Sequence, residues 1–177
     1  ALGKKIEFNL SRKCVLRIIK EKDMAIRNII QIGDETLRKK SFPVEKIDDR
    51  TIQLLDDMKQ TLEKAQGAGL AAVQVGVLRR IFIVSTDDGY FEFINPVILS
   101  RKGRQYGTEG CLSVKGKWGD VERPKTVKIR ATDRNGDMFE LIAHGFTARA
   151  VCHEYDHLDG ILYVDKADNV RTEAQSK

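Results

Sequence analysis

The pentapeptide His153-Glu154-Tyr155-Asp156-His157 concentrates more reactive side chains than any other stretch of this chain. On a helix, histidines four residues apart lie one turn apart on the same face, close enough for both imidazoles to hold one metal ion. The intervening Glu154 need not bind the ion. It is placed to take a proton from water activated there, the general-base role of metal-dependent hydrolysis. With only 3 histidines in 177 residues, chance would produce this spacing on the order of 0.003 times per chain. A helix that merely presents a solvated polar face is therefore the weaker reading.

Two histidines need a third ligand, and the usual downstream solutions fail. The only glutamate after Glu154 is Glu173, in a short polar tail, and six residues after His157 stands Tyr163 rather than a histidine. The third ligand must come from upstream, or from a carboxylate such as Asp159 or Asp165. Glu109-Gly110-Cys111-Leu112-Ser113 offers a thiolate. A cysteine beside glycine in an expected loop can approach two histidines of a distant helix, and one thiolate with two imidazoles leaves a fourth position for water. Cys152 is a poorer candidate, because it adjoins His153 about 100° around the helix axis. The alternative for Cys111 is a buried inert thiol.

The elements that must position these groups are readable in outline. Ala25 to Gln31 reads as an extended segment entering a turn at Gly33-Asp34. Ile52, Leu55, Met58, Leu62 and Ala65 recur at helical spacing, predicting a helix that starts near Asp48 or Asp49 and ends at Gly67. Arg80 to Val84, a turn at Asp87-Asp88-Gly89, and Phe91 to Leu99 read as paired strands with an irregularity at Asn95-Pro96. Lys125 to Thr132 and Met138 to Ile142 flank Asn135-Gly136, a strong hairpin signal. Thr147 is the expected N-cap of the histidine helix, and Gly160 is placed to close it. Strands and helices are segregated rather than alternating, which predicts an α+β fold with mostly antiparallel sheets around a C-terminal helix carrying the HEYDH motif.

Composition sets the outer bounds. A chain 41% hydrophobic and 32% charged can build one domain with a proper core. No run of about 18 apolar residues is present, so no membrane partner is expected. Three cysteines fit a reducing compartment, and a cytoplasmic location is the expectation. The net charge of +5 suggests nucleic acid until it is divided: residues 1–23 hold seven Lys/Arg against three Asp/Glu, and the remainder 24 against 23. No DNA partner is expected from so neutral a body.

Three separated motifs resemble those of peptide deformylases, which remove the formyl group from the N-terminal formylmethionine of nascent chains. They are Gly67-Ala68-Gly69-Leu70-Ala71-Ala72-Val73-Gln74, Glu109-Gly110-Cys111-Leu112-Ser113 and His153-Glu154-Tyr155-Asp156-His157. The likeness runs from about Met24 to about Asp165. It implies that Cys111, His153 and His157 bind the metal, with water in the fourth place attacking the formyl carbon. Glu154 becomes the proton carrier, and Gln74 with the backbone N–H of Leu112 donates to the developing oxyanion. Gly69 lets backbone approach the substrate, Phe146 and Ala150 are candidates for the methionine pocket, and Trp118 for its rim. The resemblance implies Fe(II) in the cell, with Zn(II), Ni(II) or Co(II) able to occupy the purified protein.

Some positions depart from the pattern. Cys152 stands where many relatives have Gln, Lys115 replaces a usual proline, and Trp118 occupies a place where Tyr or Arg is common. The tail beyond Asp165 shows no basic C-terminal docking helix, so ribosome association is left open as a transient event. Residues 1–23 precede the likeness and are read as a non-native or leader extension, with Ile6, Phe8 and Leu10 suited to an added edge strand; residues 24–177 form the single catalytic domain. Rival readings are a general metallopeptidase, an inactive homologue that binds N-termini, and an RNA-binding module.

Overall fold

A computed structural model describes residues 25–172. The expectations for residues 1–23, Cys14 among them, and for Glu173 lie outside the described residues.

The architecture is α+β, with two antiparallel sheets. The larger has the order β1-β2-β3-β6-β7, where β1 is Gly69–Ala71, β2 Ile81–Thr86, β3 Gly89–Lys102, β6 Thr126–Thr132 and β7 Met138–His144. The smaller has the order β4-β5-β8, with β4 Gln105–Cys111, β5 Val114–Arg123 and β8 Asp168–Thr172. Two α-helices, α1 (Asp49–Ala65) and α2 (Gly145–Leu158), complete the frame.

Helix α1 begins as its sequence requires: the Asp48 carboxylate accepts from Thr51 N at 2.9 Å, satisfying a donor the first turn leaves free. Its inward face buries Leu54, Leu55, Met58 and Leu62, each worth about 1.5–3 kcal/mol relative to exposure. Asp57 and Thr61 share that burial because they receive the N-terminal arm: Ala25 N donates to Asp57 Oδ1 and Arg27 N to Thr61 Oγ1, both at 2.9 Å. The helix ends one residue earlier than expected, with Gln66 rather than Gly67 in the left-handed conformation.

The irregularity at Asn95-Pro96 is present as a register shift between Ile94 and Val97 against β6. Asn95 takes a left-handed conformation, and its side chain bonds both N and O of Val44 at 2.8 Å. The Asn135-Gly136 hairpin joins β6 and β7 in unbroken register from Thr126↔His144 to Thr132↔Met138.

Two expectations need correction. Thr147 is not the N-cap of α2; His144 holds that position without a side-chain bond, and Thr147 lies in the first turn. The Thr147 hydroxyl instead donates to Asp88 Oδ2 at 2.5 Å and meets Thr86 Oγ1 at 2.9 Å, so the β2–β3 turn is pinned to the start of the helix. The tail beyond Asp165 is not simply a polar end, because Asp168 to Thr172 pairs with β5. Gly160 closes α2 as expected, left-handed at φ +74°, where a Cβ would strike the Arg38 carbonyl.

Helix α2 lies against both sheets. Ala148, Val151, Cys152 and Leu158 join Phe82, Phe93, Val127 and Ile129 in the main core. A smaller core of Leu37, Val114, Val121, Leu162 and Tyr163 lies under the β4–β5 side. The helix can then present its histidines to a strand of the second sheet.

Candidate active site

His153 and His157 lie on one face of α2, with ring centroids 5.0 Å apart. Cys111 ends β4, and Leu112-Ser113 makes the tight turn into β5, so the expected loop is a strand end. Cys111 Sγ is 3.3 Å from His157 Nε2. One ligand atom from each of Cys111, His153 and His157 falls within 4.8 Å of the others, and among the described residues no other group of three meets that condition. A soft thiolate with two imidazoles is a donor set that suits a divalent transition metal. The residues therefore fit the ion that the motif implies.

The competing ligands are occupied elsewhere. Asp159 pairs with Arg80 at 2.9 Å, and Asp165 pairs with Arg38 and accepts from Leu162 N. Cys152 is buried in the main core, and burial raises its thiol pKa.

A layer of side chains behind His153 and Cys111 orients them, and the sequence reading missed it. Glu109 Oε2 meets His153 Nδ1 at 2.9 Å, which turns Nε2 of that ring toward Cys111. Glu109 is itself buried and held by Arg123 at 2.9 and 3.0 Å and by Arg149 at 2.8 Å. Arg123 reaches on to Asp156 of the helix at 2.5 Å, so one guanidinium fastens β4 to α2. Burial alone would raise the Glu109 pKa, but His153 and Arg123 outweigh it and hold the carboxyl at about 2. Tyr163 stacks on His153, centroids 6.0 Å apart, and donates its hydroxyl to Lys117 O at 2.8 Å.

Glu154 is buried, and its Oε2 has no hydrogen-bond partner among the described residues. Burial pushes its pKa up to about 7, against the lowering effect of His153. In the chain without an ion the two histidines titrate in opposite senses. Burial disfavours charge on both, but Cys111 and Glu109 raise His153, whereas the charge of His153 adds to the lowering of His157.

Gln74 is fully buried. Its Oε1 accepts from Ala71 N at 2.7 Å, which turns Nε2 toward Ser113 Oγ at 3.1 Å and Cys111 Sγ at 3.5 Å. Gly69 has a second reason to lack a side chain: a Cβ there would lie 2.5 Å from Glu154 Oε1. A cavity of about 320 Å³ opens in front of this group, lined by Gly69, Gln74, Leu112, Phe146, Ala150 and Glu154 among others. Trp118 is not among its lining residues; its indole packs on Gly110 from the neighbouring strand, where a Cβ would sit 3.2 Å away. Phe146 is 62% exposed at the mouth.

The arrangement combines three side chains that could hold a metal ion, a buried carboxyl whose pKa is pushed up to about 7, and an amide directed at the same cavity. A family model described as polypeptide deformylase matches residues 26–173. The peptide deformylase of Caldicellulosiruptor bescii is 56% identical over 143 residues, 81% of this chain and 86% of that protein. The solved peptide deformylase of Legionella pneumophila superposes with TM-score 0.79 at 39% identity, over 82% of this chain and 88% of its own. That of Thermotoga maritima gives TM-score 0.79 at 35% identity, over 81% and 98%.

Proposed function

The chain belongs to the polypeptide deformylase family, and we propose that Cys111, His153 and His157 hold the divalent metal ion on which its reaction depends. The enzyme removes the formyl group from the N-terminal formylmethionine of nascent polypeptides, releasing formate. When bound, such an ion supplies Lewis acidity that activates water and polarises the formyl carbonyl. Fe(II) is the ion assigned in the cell, because the family resemblance implies it; Zn(II), Ni(II) and Co(II) suit the same donors.

The protein's own part is proton transfer and charge stabilisation. Glu154 takes a proton from the attacking water as the new C–O bond forms, then delivers it to the amine nitrogen as the formyl C–N bond breaks. A carboxyl titrating at about 7 can do both near neutral pH. Gln74 Nε2 and the Leu112 N–H donate to the oxygen that gains charge in the transition state. Phe146 and Ala150 receive the methionine side chain, while Trp118 acts from behind Gly110. Among the described residues no helix is long and apolar enough to cross a membrane. A cytoplasmic site of action and transient contact with the ribosome belong to this reading, as both suit a nascent-chain substrate.

The observation that carries the assignment is the convergence of the three ligand atoms within 4.8 Å beside the buried Glu154. Formate release from a short formyl-Met peptide, measured anaerobically on the native protein and on Glu154→Ala, tests it. The variant should keep its metal and lose most turnover. Loss of metal with the carboxylate would make Glu154 a ligand and sink the assignment.

A further inference from the structure

Given the proposed ligand set and methionine pocket, we infer that Arg149 is a positioning residue for the reaction, carrying the filling of that pocket to His153 through Glu109. Along α2, Phe146, Arg149, Ala150, His153 and Glu154 all line the cavity, at steps of three and four residues that share one helix face. Arg149 stands one turn before His153, about 6 Å along the axis. A substrate side chain that starts beside Glu154 and points toward the mouth at Phe146 must pass it.

The Arg149 side chain crosses from the helix to the strand. It is buried, and its Nη1 lies 2.8 Å from Glu109 Oε1, 3.0 Å from Val121 O and 3.2 Å from Gly107 O. Thr108, Glu109 and Gly110 line the cavity from the β4 side, so a side chain that leaves α2 and ends at Gly107 and Glu109 closes the floor between the two walls. β4 is shaped to receive it: a Cβ on Gly107 would sit 3.1 Å from Arg149 Nη2 and 3.4 Å from its Cζ.

A short relay leads from this floor to the ligand. Glu109 Oε1 accepts from the Arg149 guanidinium at 2.8 Å, and Oε2 of the same carboxylate meets His153 Nδ1 at 2.9 Å. Arg123 also holds Glu109, but it reaches away to Asp156 and is not among the residues that line the cavity. An apolar side chain that fills the pocket displaces water from the guanidinium, and in the lower local dielectric the bond from Arg149 to Glu109 strengthens. His153 is then held firmly when methionine is in place, and less firmly when a shorter side chain leaves water on the floor. Contact remote from the reacting carbon thereby raises kcat instead of only lowering KM.

Steady-state kinetics on formyl-Met-Ala and formyl-Ala-Ala, with absorption spectra of the Co(II)-loaded full chain, test this. The native protein should favour the methionine peptide in kcat as well as in KM. Its Co(II) bands should differ between saturating Met-Ala and Ala-Ala, which bring the same amine to the ion and differ only in what fills the pocket. Arg149→Met keeps an unbranched floor and leaves Glu109 both of its Arg123 bonds. It should cut the kcat preference at least about fivefold while KM for formyl-Met-Ala stays within about twofold, and the two dipeptides should then give one spectrum. Arg149→Lys should recover part of both effects. Gly107→Ala displaces the guanidinium without removing it and should move both readouts in the same direction, which keeps the test decisive if Arg149→Met does not fold. A folded variant that retains the native kcat preference and the dipeptide-dependent spectrum overturns the inference. So does one that slows both peptides equally with its spectra unchanged, because a brace that only stabilises the fold does not tell the peptides apart. A native protein that takes up no Co(II) overturns the ligand set as well, so the two failures are distinct.

Discussion

Gly69 and Glu154 fit each other so closely that neither side chain can be considered alone. A methyl group at residue 69 would lie 2.5 Å from Glu154 Oε1 and 2.7 Å from its Cγ, so Gly69→Ala must displace the carboxylate or shift β1. Misplacing a catalytic group by about 1 Å can cost on the order of a hundredfold. The variant should therefore lose about that much kcat while metal content holds, because none of the three ligands is touched. Steady-state kinetics beside metal analysis decides it, and an unchanged kcat would show that the proton carrier has room to spare. At this scale the convergence of Cys111, His153 and His157 was legible, since His-x-x-x-His fixes a shared helical face and few cysteines compete. Glu109 was overlooked because its stretch reads as a loop and the β4–β5 register shifts between Glu109 and Cys111, so no regular strand alternation marked it as a neighbour of the imidazoles. Arg149 stands in the stretch Gly145 to Arg149 to which the family likeness extends, but nothing in the sequence tied it to Glu109, and Arg123 carried no mark at all.

Among the elements, β4 and β5 were the hardest to read and matter most to the site. Gln105-Tyr106-Gly107-Thr108-Glu109-Gly110 has the glycines and polar residues of a loop, yet it forms a strand because Arg149 and Arg123 reach in from α2 and β5 to satisfy Glu109 and the carbonyls of Gly107 and Val121. Tertiary contacts there override local preference. Helix α1, by contrast, announced itself through Asp48 and its apolar period. The Glu109 network also gives β4 a pH signature. Its carboxyl is held at about 2 in the folded chain against an ordinary 4.5, so the unfolded chain binds the proton first as pH falls. The resulting stability is fully present above about pH 4.5 and disappears as pH drops toward 2. Glu109→Gln leaves Arg123 and Arg149 without their shared carboxylate and should be less stable at neutral pH. The gap in urea midpoint between variant and parent should then narrow steadily from pH 4.5 toward 2. A gap that stays constant over that window would mean the carboxylate contributes nothing through its charge.

For the whole molecule, the question is how much of the chain the enzyme needs. The family match begins at residue 26, and the arm is anchored at once: Ala25 N and Arg27 N are tied to Asp57 and Thr61 of α1, and the Arg27 guanidinium pairs with Asp57 at 2.8 Å. From there Gln31 Nε2 donates to Leu112 O at 3.0 Å and Ile32 N to Ser113 O at 2.7 Å, so residues 25–32 brace the turn that follows Cys111. The family match over residues 26–173 takes in the contacts of Gln31 and Ile32 and the whole of the candidate site. We therefore predict that deleting residues 1–23 leaves formyl-Met turnover and metal content within about twofold, a difference under roughly 0.5 kcal/mol. The anchors at Ala25 and Arg27 set the limit of that tolerance. A deletion carried through Arg27 removes both backbone donors to α1 together with the ion pair, and should lower the thermal midpoint and loosen the Cys111 turn, read as faster metal loss to a chelator. Equal behaviour of the two deletions would show that the arm braces nothing, whereas a loss of activity already in the shorter one would make residues 1–23 part of the working enzyme.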